Sequence, residues 1–188
     1  RLAALHADAG RRDDRAALVL RKKVLHEGSI VSVDCGVHLE GLHADSAVTL
    51  PVGEIAPEVA ELLRVTQESL VAGIAAAQVG GTVGDIGHAV QTVAEAAGYG
   101  VVRELVGHGI GTRFHEEPQV PNFGVPGRGP TLKAGMTIAI EPMITIGDPA
   151  TKTLSDKWTV VTKDGTWSAH FEHTVAITAE GPAILTAA

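Results

Sequence analysis

The run Ile30-Val31-Ser32-Val33-Asp34-Cys35, followed after Glu40-Gly41 by the segment Leu42 to Leu50, decides how this chain is read. Both segments are apolar and β-branched, and turn formers bound them: Gly28 before the first, Pro51 and Gly53 after the second. They read as two arms of a β-hairpin. Asp34 falls on one arm and Asp45 on the other, where a hairpin makes them lateral neighbours. Adjacent carboxylates repel, so a cation or a proton has to compensate. Taken alone, the pair also fits two solvated acids near a turn, which is where most carboxylates are found. The apolar run ahead of Asp34 argues for burial instead, and a buried acid needs a partner.

Working outward, Val59, Leu62, Leu63, Thr66, Leu70 and Ile74 recur at helical spacing between Ala56 and about Gln78, with Pro57 suited to the first turn. Gly80-Gly81 break that pattern, and a second helix is predicted from Val83 to Ala97, stopping at Gly98. Strand patterns follow at Val101 to Val106, Met136 to Ile140, Trp158 to Thr162 and Ser168 to Thr178, the last two joined by a turn at Lys163-Asp164-Gly165. A Gly- and Pro-rich stretch runs from Pro118 to Pro130. A hairpin, two helices and then strands predict an α+β fold with a largely antiparallel sheet. Before the hairpin, residues 1–23 carry the charge runs Arg11 to Arg15 and Arg21 to Lys23, and read as a solvated helix or a disordered arm.

A chain of 188 residues, 45% hydrophobic and 20% charged, has the profile of one globular domain with a real core. Its net charge of −7 argues against strong non-specific nucleic-acid binding, which needs a basic face. Cys35 is the only cysteine, so no intrachain disulfide can form, and a reducing cytosol fits. No apolar run approaches the ~18–20 residues of a membrane span, and the opening residues lack the apolar core of a signal peptide.

Further chemistry lies in Gly107-His108-Gly109-Ile110-Gly111-Thr112-Arg113-Phe114-His115-Glu116-Glu117-Pro118. Glycines on both sides of His108 allow backbone or substrate to come close, and histidine is the commonest metal ligand. Glu141 ends the apolar run Met136 to Ile140, and Glu172 lies inside Ala169-His170-Phe171-Glu172-His173-Thr174-Val175. Each has a bland reading as an edge charge. Together, four carboxylates and one imidazole at or inside apolar segments form a hard, oxygen-rich donor set. That set suits two divalent first-row cations better than a structural zinc site.

On these motifs, with Gly36 after Cys35, His43-Ala44-Asp45, Ile140-Glu141-Pro142-Met143, and Trp158 to Thr162 running on to Phe171-Glu172-His173-Thr174, the chain from Val24 onward resembles the bacterial-type (type I) methionine aminopeptidases. The resemblance implies the pita-bread fold, a curved and largely antiparallel sheet with helices on its outer face. It divides the chain into an arm, 1–23, and a catalytic domain, 24–188. It implies removal of initiator methionine from nascent polypeptides when the next residue is small. Asp34, Asp45, His108, Glu141 and Glu172 would hold two divalent ions (cobalt, manganese or iron(II)), with Asp45 and Glu172 bridging. Glu141 would take the proton of the attacking water, and His115 would hydrogen-bond the substrate amide. Phe114 and Trp158 would wall the methionine pocket. A cytoplasmic monomer acting on nascent N-termini, with transient ribosome association and no membrane or specific nucleic-acid partner, is the expected setting.

The resemblance stops before about Arg21, leaving the first half of the fold incomplete. Family members carry a His-Gly-Ile-Pro motif there. Counting back from Asp34, Ala16 takes that histidine's place, and His6 lies too far along the chain to stand in. Besides a working aminopeptidase, the sequence therefore leaves open a metal-binding pseudoenzyme, a truncated product, and an Xaa-Pro aminopeptidase-like enzyme.

Overall fold

A computed structural model of the chain describes residues 3–7 and 25–187. In chain order it places strands β1 (Ala3–Ala7), β2 (Ile30–Leu39) and β3 (Leu42–Pro51), then helices α1 (Pro57–Ala76) and α2 (Val83–Ala96). Ten short strands follow: β4 (Gly100–Val101), β5 (Gly107–Gly109), β6 (Glu116–Val120), β7 (Thr137–Ile140), β8 (Met143–Thr145), β9 (Thr151–Thr153), β10 (Val160–Thr162), β11 (Ser168–His170), β12 (Glu172–Thr178) and β13 (Gly181–Ile184).

The predicted hairpin is present as β2 and β3. Its strands pair from Ile30↔Pro51 to Leu39↔Leu42. The two residues between them, Glu40 and Gly41, have φ of 50° and 84°, the double positive-φ turn whose twist matches the strands it joins. The main sheet runs β1-β2-β3-β12-β7-β5-β6, with β13 added alongside β12. All its pairings are antiparallel except β1 with β2. The largely antiparallel α+β layout predicted from the sequence is therefore the one observed.

Helix α1 starts at Pro57 and buries Val59, Leu62, Val65, Leu70 and Ile74, one stripe of the predicted period. The hydroxyls of Thr66 and Ser69, also buried, bond back to the carbonyls of Leu62 and Val65. Helix α2 opens at Thr82, whose N–H and hydroxyl both donate to the Asp85 carboxylate. The other Asp85 oxygen accepts from Gly127 N–H and so fastens the Gly- and Pro-rich loop to the helix start. The two helices pack against the sheet around a core that includes Leu62, Ile86, Ile138, Ile140, Ile144 and Ile177.

Two predicted strands come out differently, for one reason. Val101 to Val106 is not a single strand: β4 ends at Val101, Val102 N–H makes a last bond to Met143, and the chain bends through 103–105. Ser168 to Thr178 is likewise broken at Phe171, whose N–H reaches only Pro142 O at 3.4 Å. In both places the chain leaves a small sheet, β11-β8-β4, and enters the main one. The predicted Trp158 to Thr162 strand begins at Val160.

At the start of the chain, β1 occupies part of the segment read as a helix or disordered arm, and pairs in parallel with β2. His6 stands in register with Asp34, so its distance along the chain did not measure its distance in the sheet. Ala16 and the rest of 8–24 lie outside the described residues.

Candidate metal centre

The five predicted ligands come from five places in the fold: β2 (Asp34), β3 (Asp45), β5 (His108), the residue after β7 (Glu141) and the first residue of β12 (Glu172). Register brings them to one face. Side chains alternate along a strand, and the ladder sets Gly36 opposite Asp45, Asp34 opposite Ala47, and Ala47 opposite Glu172. His173 pairs with Ile140, which puts Glu172 level with Glu141. The glycines flanking His108 matter here. A Cβ on Gly107 would overlap the carbonyl of Ala139, and one on Gly109 the carbonyl of Glu117, so only glycine lets β5 lie this close to its neighbours.

Asp45, His108 and Glu172 are all buried, and one ligand atom from each lies within 4.8 Å of the others. His108 Nε2 is 3.9 Å from Asp45 Oδ2 and 3.7 Å from Glu141 Oε1. Its Nδ1 is 2.9 Å from the Gly109 carbonyl, which can only accept, so Nδ1 donates there and Nε2 is the ring atom turned to the cluster. Asp45 is fixed by its backbone. Its N–H donates to Thr174 Oγ1 at 2.8 Å, and that hydroxyl donates to the Asp45 carbonyl at 2.7 Å.

The electrostatics call for a cation. Burial, the neighbouring Asp34 and Glu141 carboxylates and a hydrogen bond with Asp34 push the Asp45 carboxyl up to about 8, against the pull of the Ser46 N–H. Burial raises Glu172 well above its ordinary value, with Glu141, Asp45 and Asp34 adding to it. Glu172 Oε1 is buried with no hydrogen-bond partner. An oxygen-rich cluster with a buried, unsatisfied carboxylate oxygen and one free imidazole nitrogen fits divalent cations, and the spacing fits bonds of ~2.0–2.2 Å.

The cluster opens into a cavity of about 610 Å³ whose lining includes Asp34, His108, His115, Glu141, Met143 and His170. The His115 ring lies 4.3 Å from that of His108 and 4.8 Å from that of Phe114. Although exposed, His115 is desolvated enough by this packing to lower its pKa; His108 lowers it further and Glu141 opposes. Phe114 lies over Gly36, where a Cβ would overlap its ring, and 5.8 Å from His108. Trp158 is 64% exposed on the turn between β9 and β10, and neither it nor Phe114 is among the residues lining the cavity. His170, by contrast, was not picked out from the sequence. It sits two positions before Glu172, and the alternation of strand side chains is the signal that would have found it.

A sheet that gathers four carboxylates and an imidazole onto one face beside an open cavity is the layout of a metal-dependent hydrolase. The sequence profile of metallopeptidase family M24 matches residues 3–179, and the chain belongs to that family. The match takes in residues that the motif resemblance, starting at Val24, left out. The chain is 54% identical over 166 residues to a methionine aminopeptidase of Clostridium acetobutylicum, covering 88% of this chain and 66% of that protein. It is 52% identical over 164 residues to methionine aminopeptidase 1 of Bacillus subtilis, covering 87% and 66%. The chain thus spans about two thirds of the length of these relatives. Among solved structures, the methionine aminopeptidase of Thermotoga maritima matches with a TM-score of 0.88 at 47% identity, over 92% of this chain and 70% of that one. A prolidase of Pyrococcus furiosus matches with a TM-score of 0.73 at 26% identity, over 90% and 44%. These neighbours establish the pita-bread fold.

Proposed function

We propose that the protein this chain belongs to removes N-terminal methionine from polypeptides whose second residue is small. The observation that carries the reading is the cluster of Asp34, Asp45, His108, Glu141 and Glu172 on one face of the sheet, in a chain about half identical to methionine aminopeptidases. In this reading the five side chains would hold two divalent cations, Asp45 and Glu172 serving as ligands common to both. Bound there, the cations supply Lewis acidity and the positive charge that makes water a nucleophile near neutral pH. The protein's residues do the rest. Glu141, at the cavity wall, takes the proton that the water gives up. His115, its pKa lowered by its surroundings, stays neutral at pH 7 and donates to the substrate carbonyl oxygen as negative charge grows there. Phe114 packs against the thioether side chain, an apolar and polarisable match. Trp158, on its exposed turn, joins the pocket only if the β9–β10 hairpin moves towards it. The substrates are nascent N-termini, and the cytoplasm is the place of action.

The test compares hydrolysis of Met-Ala-Ser with that of Xaa-Pro peptides, before and after chelation. Cation-dependent cleavage of Met-Ala-Ser in preference is expected. Preference for Xaa-Pro would transfer the reading to the prolidase side of the family. Full occupancy by cations with no cleavage of either would leave a binding protein.

A further inference from the structure

Among the described residues, the buried side-chain nitrogen and oxygen atoms with no hydrogen-bond partner are His170 Nε2 and Glu172 Oε1. Both belong to one cluster: His170 Nε2 lies 3.6 Å from Glu141 Oε2 and 4.0 Å from Glu172 Oε2. An imidazole nitrogen left unpaired in a buried place is unfavourable and needs a reason.

The fold also fixes His170 with care. Its N–H donates to Thr49 Oγ1 at 2.9 Å, and the same hydroxyl donates to the His170 carbonyl at 2.7 Å. The single Thr49 hydroxyl proton is spent there, so Ser32, 2.7 Å away, must donate to Thr49. Ser32, Thr49 and His170 are all buried. His170 is thereby clamped at both backbone groups by β3, the strand that carries Asp45.

Glu141 consequently sits between two imidazoles, with Oε1 towards His108 and Oε2 towards His170. We propose that His170 is a positioning residue for Glu141. With its proton on Nε2 it donates to Glu141 Oε2, which keeps Oε1 turned to the cation that His108 shares. The 3.6 Å separation is longer than a hydrogen bond, and contacts of this kind tighten when a site is loaded. The inference rests on Glu141 being a ligand.

Two substitutions of nearly equal shape isolate the donor: His170→Gln keeps an N–H, and His170→Met removes it. Manganese binding to the parent and to both variants is followed by titration calorimetry, with kcat and KM on Met-Ala-Ser read alongside. Affinity for the weaker-bound cation is expected to fall about 10–100-fold in His170→Met and to stay within about threefold of the parent in His170→Gln. Any turnover should fall in kcat with KM little changed. Equal affinities in the two variants would overturn the role given to His170 while leaving the metal centre standing. A parent that binds no manganese would overturn both. If His170→Met does not fold, Thr49→Val takes its place, since it releases the clamp and keeps the ring. The same loss of affinity is then expected, and unchanged affinity overturns the proposal.

Discussion

Asp45 carries the clearest consequence at the scale of a single residue. In the cation-free chain its carboxyl is held at about 8, where an ordinary aspartate has 3.8. Below about pH 4 the folded and unfolded chains both keep the proton, and the fold loses nothing. As pH rises towards about 8 the unfolded chain gives the proton up while the folded chain retains it, so stability declines, by on the order of several kcal/mol. Glu172, raised in the same direction, deepens the decline. The chelated protein is therefore expected to melt at a lower temperature at about pH 8 than at about pH 5.5. Adding a divalent cation, which favours the ionised carboxylates, should remove most of that difference. Circular dichroism melts at the two pH values check it, and equal melting of the chelated protein would mean that Asp45 ionises as it does in water. The acids themselves were legible in the sequence because each ends or interrupts an apolar run. His170 carried only the signal of its place two positions before Glu172, because its meaning depends on Glu141, which follows a different strand.

At the scale of elements, β5 is tightly constrained. His108 stands between two glycines whose places no side chain can share, since the atoms in the way are backbone carbonyls and cannot swing aside. Gly109→Ala should cost about 1–3 kcal/mol or more and should weaken cation binding, because β5 must back away from β6 and take His108 with it. Urea denaturation and a metal titration would test this, and a variant as stable as the parent would refute it. The glycine–histidine pattern showed in the sequence that something comes close to His108. It did not show that the neighbour is the protein's own backbone. The hairpin and both helices were legible because their signals are local: alternation, a 3.6-residue period, Pro57 at a start and Gly98 after an end. The breaks after Val101 and at Phe171 were not, because apolar patterning marks burial and continues unchanged where a strand trades one sheet for another.

At the scale of the molecule, all five proposed ligands lie between Asp34 and Glu172, on elements that pack around one core. This chain is therefore expected to bind divalent cations by itself, although it spans only about two thirds of its relatives' length. Peptide turnover is a separate matter, since a substrate pocket needs walls as well as a metal centre. Replacing residues 1–23 by the corresponding N-terminal segment of a relative should leave cation content unchanged and raise kcat/KM on Met-Ala-Ser. Equal turnover with and without it would show that this chain makes the pocket unaided. The order of the sheet adds a consequence in time. β12 lies between β3 and β7 yet is made after both. On the ribosome, where domains fold as they emerge, Asp34 and Asp45 wait on one ribbon, and His108 and Glu141 on another, until the strand bearing Glu172 arrives to join them. With the proposed ligand set, a half-made chain lacks Glu172 and its centre is incomplete, so a peptidase built to this plan would stay inert during its own synthesis.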